Sequence, residues 1–345
     1  ALRTQHKLTE AMTLLQHYLV THPENADALT LLSQIKLDAG DLEGAQQLLV
    51  RGLRANPNSP AANRLSGSML LNAQAYPQAM DRFETVLAVL PHDLEARRLE
   101  REAATKLAVQ AQTAGNQQVA LQVLEHARSK MPDDSELLLE LGMEAFDLHQ
   151  LQKAAEALQA ARQLSPEDPE ILYGLARVEL EQQHLPAAES EMRSYLAKRP
   201  EDASAHFGLG HVYAMEQRTD AARVEFQRSI QLQPVQTESY YQIGQLDLNV
   251  QQDQQAEPLF QKVIARDPTH GGALTGLGQI AFRLKKYDEA EGYLKRAVQA
   301  APEYAAGHYY HGLVLARLGR KAEADQELQL ATKLGHDSGA NSAQP

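Results

Sequence analysis

Few residues in this sequence have the type and spacing that chemistry requires. His308 and His311 stand three apart on what reads as one helix, which sets two imidazoles on one face as metal ligands need. No clear acidic third ligand stands near them in the sequence, and both fall where a packing residue is expected. The run GGALTGLG gives Gly271, Gly272, Gly276 and Gly278 the density of a phosphate loop, yet no strand precedes it and no Lys-Ser/Thr follows. Those glycines read as small packing residues. Glu136, Glu170 and Glu238 stand near helix starts, where a carboxylate suits the helix dipole without any acid–base role. The residues therefore predict no catalytic site, no metal and no cofactor, and the chain is expected not to be an enzyme. A metal-dependent enzyme built on His308 and His311 is the reading that stoichiometric bound metal would favour.

Composition narrows the partners. The chain has 345 residues, 43% of them hydrophobic, with a formal net charge of -12 and no cysteine. An acidic balance disfavours nucleic acid and anionic membrane surfaces, which need clustered Lys and Arg to release counterions. No stretch approaches eighteen apolar residues, so no membrane insertion is expected. Without cysteine there is neither a disulfide framework nor a thiolate zinc site, and bacterial cell envelope and cytoplasm both stay open as locations. The sequence reads as opening inside a helix at Ala1, so any address is expected to have lain upstream. An apolar N-terminal repeat end left uncovered would allow self-association.

The elements that must position these residues emerge from the prolines. Pro23, Pro57 and Pro91 are 34 apart, and Pro132, Pro166, Pro200, Pro234, Pro268 and Pro302 repeat the interval. Twelve residues before each proline position stands an alanine: Ala11, Ala45, Ala79, Ala120, Ala154, Ala188, Ala222, Ala256, Ala290 and Ala324. Other columns align with them, including Gly67, Gly142, Gly210, Gly244, Gly278 and Gly312, and a large apolar set such as Phe83, Leu158, Phe226, Phe260 and Leu294. Within a unit the apolar residues recur at three and four steps around one polar turn, which predicts two antiparallel helices. The small residues then lie where helices cross closely. Ser59 before Pro60 and Asp168 before Pro169 read as helix N-caps. Gly40, Gly115 and Gly319 fall in the mid-repeat turn, and Gly335 is expected to end the last helix. The 41 residues from Pro91 to Pro132 contain seven extra, placed at about 94–100. Seven residues are two helical turns, so the lengthened helix keeps its packing face. It is either a tolerated extension or a protruding ridge for a partner.

This pattern of Leu-Gly, then Ala, then an aromatic or Leu, then Pro resembles the tetratricopeptide repeat family over nearly the whole chain, in about ten repeats. It departs at the first large position, where Leu29, Leu138, Leu172, His206, Tyr240, Leu274 and His308 stand and no Trp occurs. The resemblance implies an all-α, right-handed α-solenoid superhelix of antiparallel helix pairs over 1–335, with a partial first repeat and a polar, disordered tail over 336–345. It also implies a non-catalytic scaffold for a protein or peptide partner, held on the concave side by the first helix of each pair. The alternative is a targeting or assembly arm of a larger enzyme or of bacterial envelope or polysaccharide machinery.

On that side one column holds Tyr173, Phe207, Tyr241 and Tyr309, with Thr275 completing it, and the next holds Arg177, His211, Gln245 and Gln279. Aromatic faces beside hydrogen-bonding groups suit an extended or helical peptide. An aromatic there also belongs to the ordinary repeat pattern. The first half offers Thr30, Arg64, Thr105 and Leu139 instead, so an aromatic site is expected in the C-terminal half. Arg283, Lys285, Lys286, Arg317, Arg320 and Lys321 cluster in the last two repeats, where an acidic partner could dock or where solvated turns simply carry charge. Neither the Lys and Asn pair that clamps a carboxylate in some members nor the asparagine run of the sugar-transferring ones is present.

Overall fold

Each repeat folds as two helices because the chain is forced out of helical geometry at two fixed places. A residue preceding proline is excluded from the helical region. Asn56 before Pro57 accordingly has φ −141°, and Ser165 before Pro166 has φ −133°, which ends the second helix of each pair. In the mid-repeat turn one residue turns left-handed: Gly40, Gly115 and Gly319 at φ +82°, +78° and +80°, and Gln74, His149, Gln183, Gln217, Gln251 and Lys285 at +54° to +60°. The next first helix starts under a side-chain cap, as Asn25, Ser59, Asp93, Asp134, Asp168 and Asp202 each accept backbone N–H groups there. The caps expected at Ser59 and Asp168 are two of this series.

The computed structural model describes the backbone of residues 8–341 and the side chains of residues 8–335. Among the described residues the chain is all-α, a solenoid of antiparallel helix pairs without strands. It divides into two compact units, Ala1–Gln182 and Gln183–Pro345, within what the sequence reads as one array. The first unit contains α1 (Leu8–Thr21), α2 (Ala26–Asp38), α3 (Leu42–Ala55), α4 (Pro60–Asn72), α5 (Tyr76–Val89), α6 (Leu94–Thr113), α7 (Gln117–Lys130), α8 (Ser135–Asp147), α9 (Leu151–Leu164) and α10 (Pro169–Glu181). The second contains α11 (Leu185–Lys198), α12 (Ala203–Met215), α13 (Thr219–Leu232), α14 (Glu238–Asn249), α15 (Asp253–Arg266), α16 (Gly271–Arg283), α17 (Tyr287–Ala300), α18 (Ala305–Arg317) and α19 (Lys321–Asn341). The partial first repeat expected from Ala1 lies in part outside the described residues.

One first helix is longer than the others. Helix α6 has 20 residues, against 13 for α2, α4, α8, α10, α12, α16 and α18. Arg98 and Glu102 on it form an i,i+4 pair at 3.3 Å. One expectation fails: α19 runs through Gly335 to Asn341 instead of ending at the glycine, into the segment read as a disordered tail. Gly335 does not adopt the left-handed geometry of a cap, and no proline follows it before Pro345, so nothing in the sequence stops the helix there. Residues 342–345 of that tail lie outside the described residues.

The core is built from the aligned columns. All ten column alanines are at most 9% exposed. The column glycines do more than let backbones approach. A Cβ on Gly67, Gly210 or Gly244 would stand 2.5 to 2.7 Å from the ring of Phe83, Phe226 or Phe260, the large residue sixteen positions later. The large residue is often enclosed from the next repeat as well, Leu158 between Gly142 and Gly174, and Phe260 between Gly244 and Gly276. Each glycine is the absence of a side chain that a neighbouring large one requires.

Candidate functional site

The residues singled out for chemistry have structural partners. Both His308 and His311 are buried, and the acidic group that the sequence did not reveal is Glu327, on the following helix α19. His308 Nδ1 lies 2.5 Å from Glu327 Oε2, and its Nε2 lies 2.9 Å from the Pro302 carbonyl oxygen. His311 Nδ1 lies 3.1 Å from Glu327 Oε1. His206 repeats the arrangement three repeats earlier, with Nδ1 2.6 Å from Glu225 and Nε2 3.1 Å from the Pro200 carbonyl. His308 and His206 thus tie a first helix to its own second helix and to the preceding turn, in the place where the family carries a large apolar residue, whereas neither ring nitrogen of His311 makes a hydrogen bond. The four glycines of GGALTGLG lie within α16 and face side chains: Gly272 the Tyr241 ring, Gly276 the Phe260 ring, Gly278 Leu294 and Gly271 Ala301. They are packing positions, as expected.

The aromatic column does not form one uniform ladder. In the first unit, the Arg177 guanidinium on α10 sits 4.4 Å over the Phe146 ring of α8, and Tyr173 on the same helix is half-buried. In the second unit, Phe207 and His211 on α12 stack with centroids 6.3 Å apart, and Phe207 also leans on Phe226 at 5.7 Å. Tyr309 on α18 is 48% exposed and meets Tyr310 edge-on. Tyr241 on α14 turns inward. Its ring lies 4.6 Å from the His270 ring and 6.1 Å from that of Phe260. Burial, and then the neighbouring Tyr304, push its phenol above the ordinary tyrosine range. Thr275 is buried and donates to the Gly271 carbonyl at 2.8 Å. Gln245 and Gln279 are half-buried beside these positions.

Three of the six residues of the basic cluster are paired with carboxylates. Arg283 pairs with Asp253, Lys286 with Glu289 at 3.2 Å, and Arg320 with both Glu291 and Glu323. Lys285 occupies the left-handed turn, and Arg317 and Lys321 are exposed.

The first unit holds a groove that the aromatic criterion missed. The equivalent columns of α2 and α4 line it: Asp27, Thr30, Leu31, Gln34 and Leu37 from one helix, and Ala61, Arg64, Leu65 and Ser68 from the other, with Glu95 of α6 at its end. Its volume is roughly 580 Å³. Leu31 is 45% exposed although it lies inside a groove, so an apolar surface is presented between polar groups. Arg64 is held by Asp93, the cap of α6, and by Glu95 at 3.3 Å. The register alone predicted that these columns share a face. Thr30 and Arg64 were named from it, but the leucines one position further were not, because a leucine in a repeat reads first as core.

Among the described residues no helix is long and apolar enough to cross a membrane.

Two family profiles, both described as Tetratricopeptide repeat, match the sequence, one over residues 2–68 and 145–204 and the other over 105–169, 241–305 and 286–338. A tetratricopeptide repeat protein from Parabacteroides merdae is similar in structure, with a TM-score of 0.56 at 18% identity over 68% of this chain and 93% of that one. The Cut9–Hcn1 hetero-tetramer of the APC/C contains a chain similar at TM-score 0.56 and 16% identity, over 89% of this chain and 60% of that one. PilW, a type IV pilus biogenesis factor, is similar at TM-score 0.53 and 19% identity, over 59% of this chain and 94% of that one. At such identities these likenesses concern the fold. No curated protein matches the sequence. The aligned Gly, Ala and Pro columns, the helix pairs they build and the profiles that cover most of the sequence lead to one conclusion: the chain belongs to the tetratricopeptide repeat family.

Proposed function

We propose that the chain is a non-catalytic scaffold that holds a peptide or protein partner along the inner columns of its first helices. The observation that carries this reading is the groove between α2 and α4, where residues one repeat apart converge on one cavity with exposed Leu31 between Asp27, Gln34 and Ser68. A groove of this kind takes an apolar side chain of a bound segment while its rim hydrogen-bonds the segment's backbone. Phe207 with His211, and Tyr309, are the second unit's contributions to the same columns.

Site-specific photo-crosslinking tests it. A photoreactive residue replacing Leu31, Ser68 or Tyr309 is expected to trap a discrete partner in native extract, whereas the same residue at Val50 or Val224, exposed on the second helices α3 and α13, traps none. Equal trapping from both sets would overturn the reading.

A further inference from the structure

The two added turns of α6 contain a feature that packing does not account for. Ala96 and Leu99 enter the same apolar core as Met80, Phe83 and Leu87 of α5. Glu100 enters it too, with no exposure at all, and neither carboxyl oxygen has a hydrogen-bond partner. Its neighbours along the buried face, Ala96, Leu99, Ala103 and Ala104, are all apolar. An inserted segment that served packing alone would carry an apolar residue there, because an unpartnered buried carboxylate opposes folding strongly. The charged groups facing Glu100 are Asp81 and Glu84 of α5 and Lys130 of α7. Glu84 is already shared between Lys130 at 3.2 Å and His126 at 2.5 Å, so Lys130 is engaged elsewhere.

From this juxtaposition we infer that Glu100 is a proton-dependent pin: protonated, it lets the start of α6 seat between α5 and α7, and on losing its proton it releases that segment. Burial first, then the charges of Glu84 and Asp81, hold the carboxyl at about 8, so its neutral form prevails around neutral pH. The released segment begins at Asp93, the cap of α6 that also holds Arg64, and includes Glu95 at the groove's end. Proton loss therefore frees Arg64 and alters the groove between α2 and α4. This regulatory consequence rests on the reading of that groove as the partner site, while the pin itself does not.

Opening releases one proton wherever the pH lies between the ordinary glutamate value of 4.5 and about 8, so the opening constant rises about tenfold per pH unit in that range. Hydrogen exchange of the whole 345-residue chain, followed by mass spectrometry and corrected for intrinsic exchange rates, measures it. Between pH 5.5 and 7.5, segments spanning α6 are expected to lose protection about a hundredfold in the wild type. They should lose none in Glu100→Gln, and α16 in the second unit should be unaffected in both. Equal, pH-independent protection of α6 in the two proteins would overturn the proposal. Should Glu100→Gln not fold, Lys130→Met supplies the test. Removing the facing cation extends the loss to higher pH, so α6 is expected to open severalfold more than wild type at pH 9. Unchanged protection there also overturns it. Because this readout needs no partner, a failed crosslink would sink the groove reading and leave the pin standing.

Discussion

At the scale of single residues, the small positions are set by the size of their neighbours. Gly210 lacks a Cβ because one would stand 2.7 Å from the Phe226 ring, and Ala222 is fully buried at the same crossing. Gly210→Ala and Ala222→Leu are each expected to destabilise by roughly 1–3 kcal/mol through overpacking, measured by chemical denaturation at constant m-value. The aromatic column separates by the same test. Tyr241 is half-buried and packed against Phe260 and His270, so Tyr241→Ala should cost about 2–4 kcal/mol. Tyr309 is half-exposed, so Tyr309→Ala should change stability by no more than about 0.5 kcal/mol and be felt only in partner capture. Thermal melts of the pair decide it: equal losses would mean that Tyr309 is also a packing residue. The column was legible in the sequence, but the inward turn of Tyr241 was not, since it depends on Gly272 leaving room beside its hydroxyl.

Helices are bounded by local chemistry that reads directly from sequence, with one exception. The prolines and caps stop and start the helices where the alignment places them. The left-handed turn residue is harder to see, because glycine fills it at only three of the nine positions and Gln, His or Lys at the rest. A non-glycine residue in that conformation costs about 1–2 kcal/mol, partly offset by the extra freedom glycine has when unfolded. Gln217→Gly is therefore expected to stabilise by roughly 0.5 kcal/mol, and Gly319→Ala to destabilise by about 1 kcal/mol, in parallel urea titrations. Asp134 combines a cap with an ion pair, accepting from the Leu137 N–H at 3.0 Å and from Arg101 at 2.8 and 2.9 Å. It is 7% exposed, so Asp134→Ala should cost about 2–4 kcal/mol, more than an ordinary cap, because Arg101 loses its buried partner.

For the molecule as a whole, ionisation bounds stability from both sides. Burial opposes the Asp202 charge, but the Tyr195 hydroxyl at 2.6 Å and the Ala205 and Ser204 amides outweigh it and hold the carboxyl below its ordinary value. Bonding to His270 lowers Glu238 likewise. Lowered carboxyls contribute stability above their unfolded values and lose it as pH falls through the folded ones, so the chain should lose stability below about pH 4. Glu100 has the opposite sign: raised to about 8, it removes stability as pH rises from 4.5 toward that value. The melting temperature is therefore expected to peak on the mildly acidic side, near pH 5, and Glu100→Gln should flatten its alkaline flank by on the order of 3 kcal/mol. A wild-type profile flat from pH 5 to 8 would contradict this.

The sequence by itself determined the repeat, its helix pairs, the buried column of ten alanines and the two extra turns of α6, because each follows from local rules: period, proline exclusion and capping. It also carried the register of the inner columns, and so named Thr30 and Arg64 of the groove. Only the tertiary structure decided which side chains in those columns face open space, since that depends on neighbours sixteen or more residues away. It brought Glu327 to His308 and His311, turned Tyr241 inward, opened the groove at Leu31 and shut Glu100 away without a partner. Helices are written in steps of three and four residues, whereas the spaces between them are set by residues that meet only once the repeats have stacked.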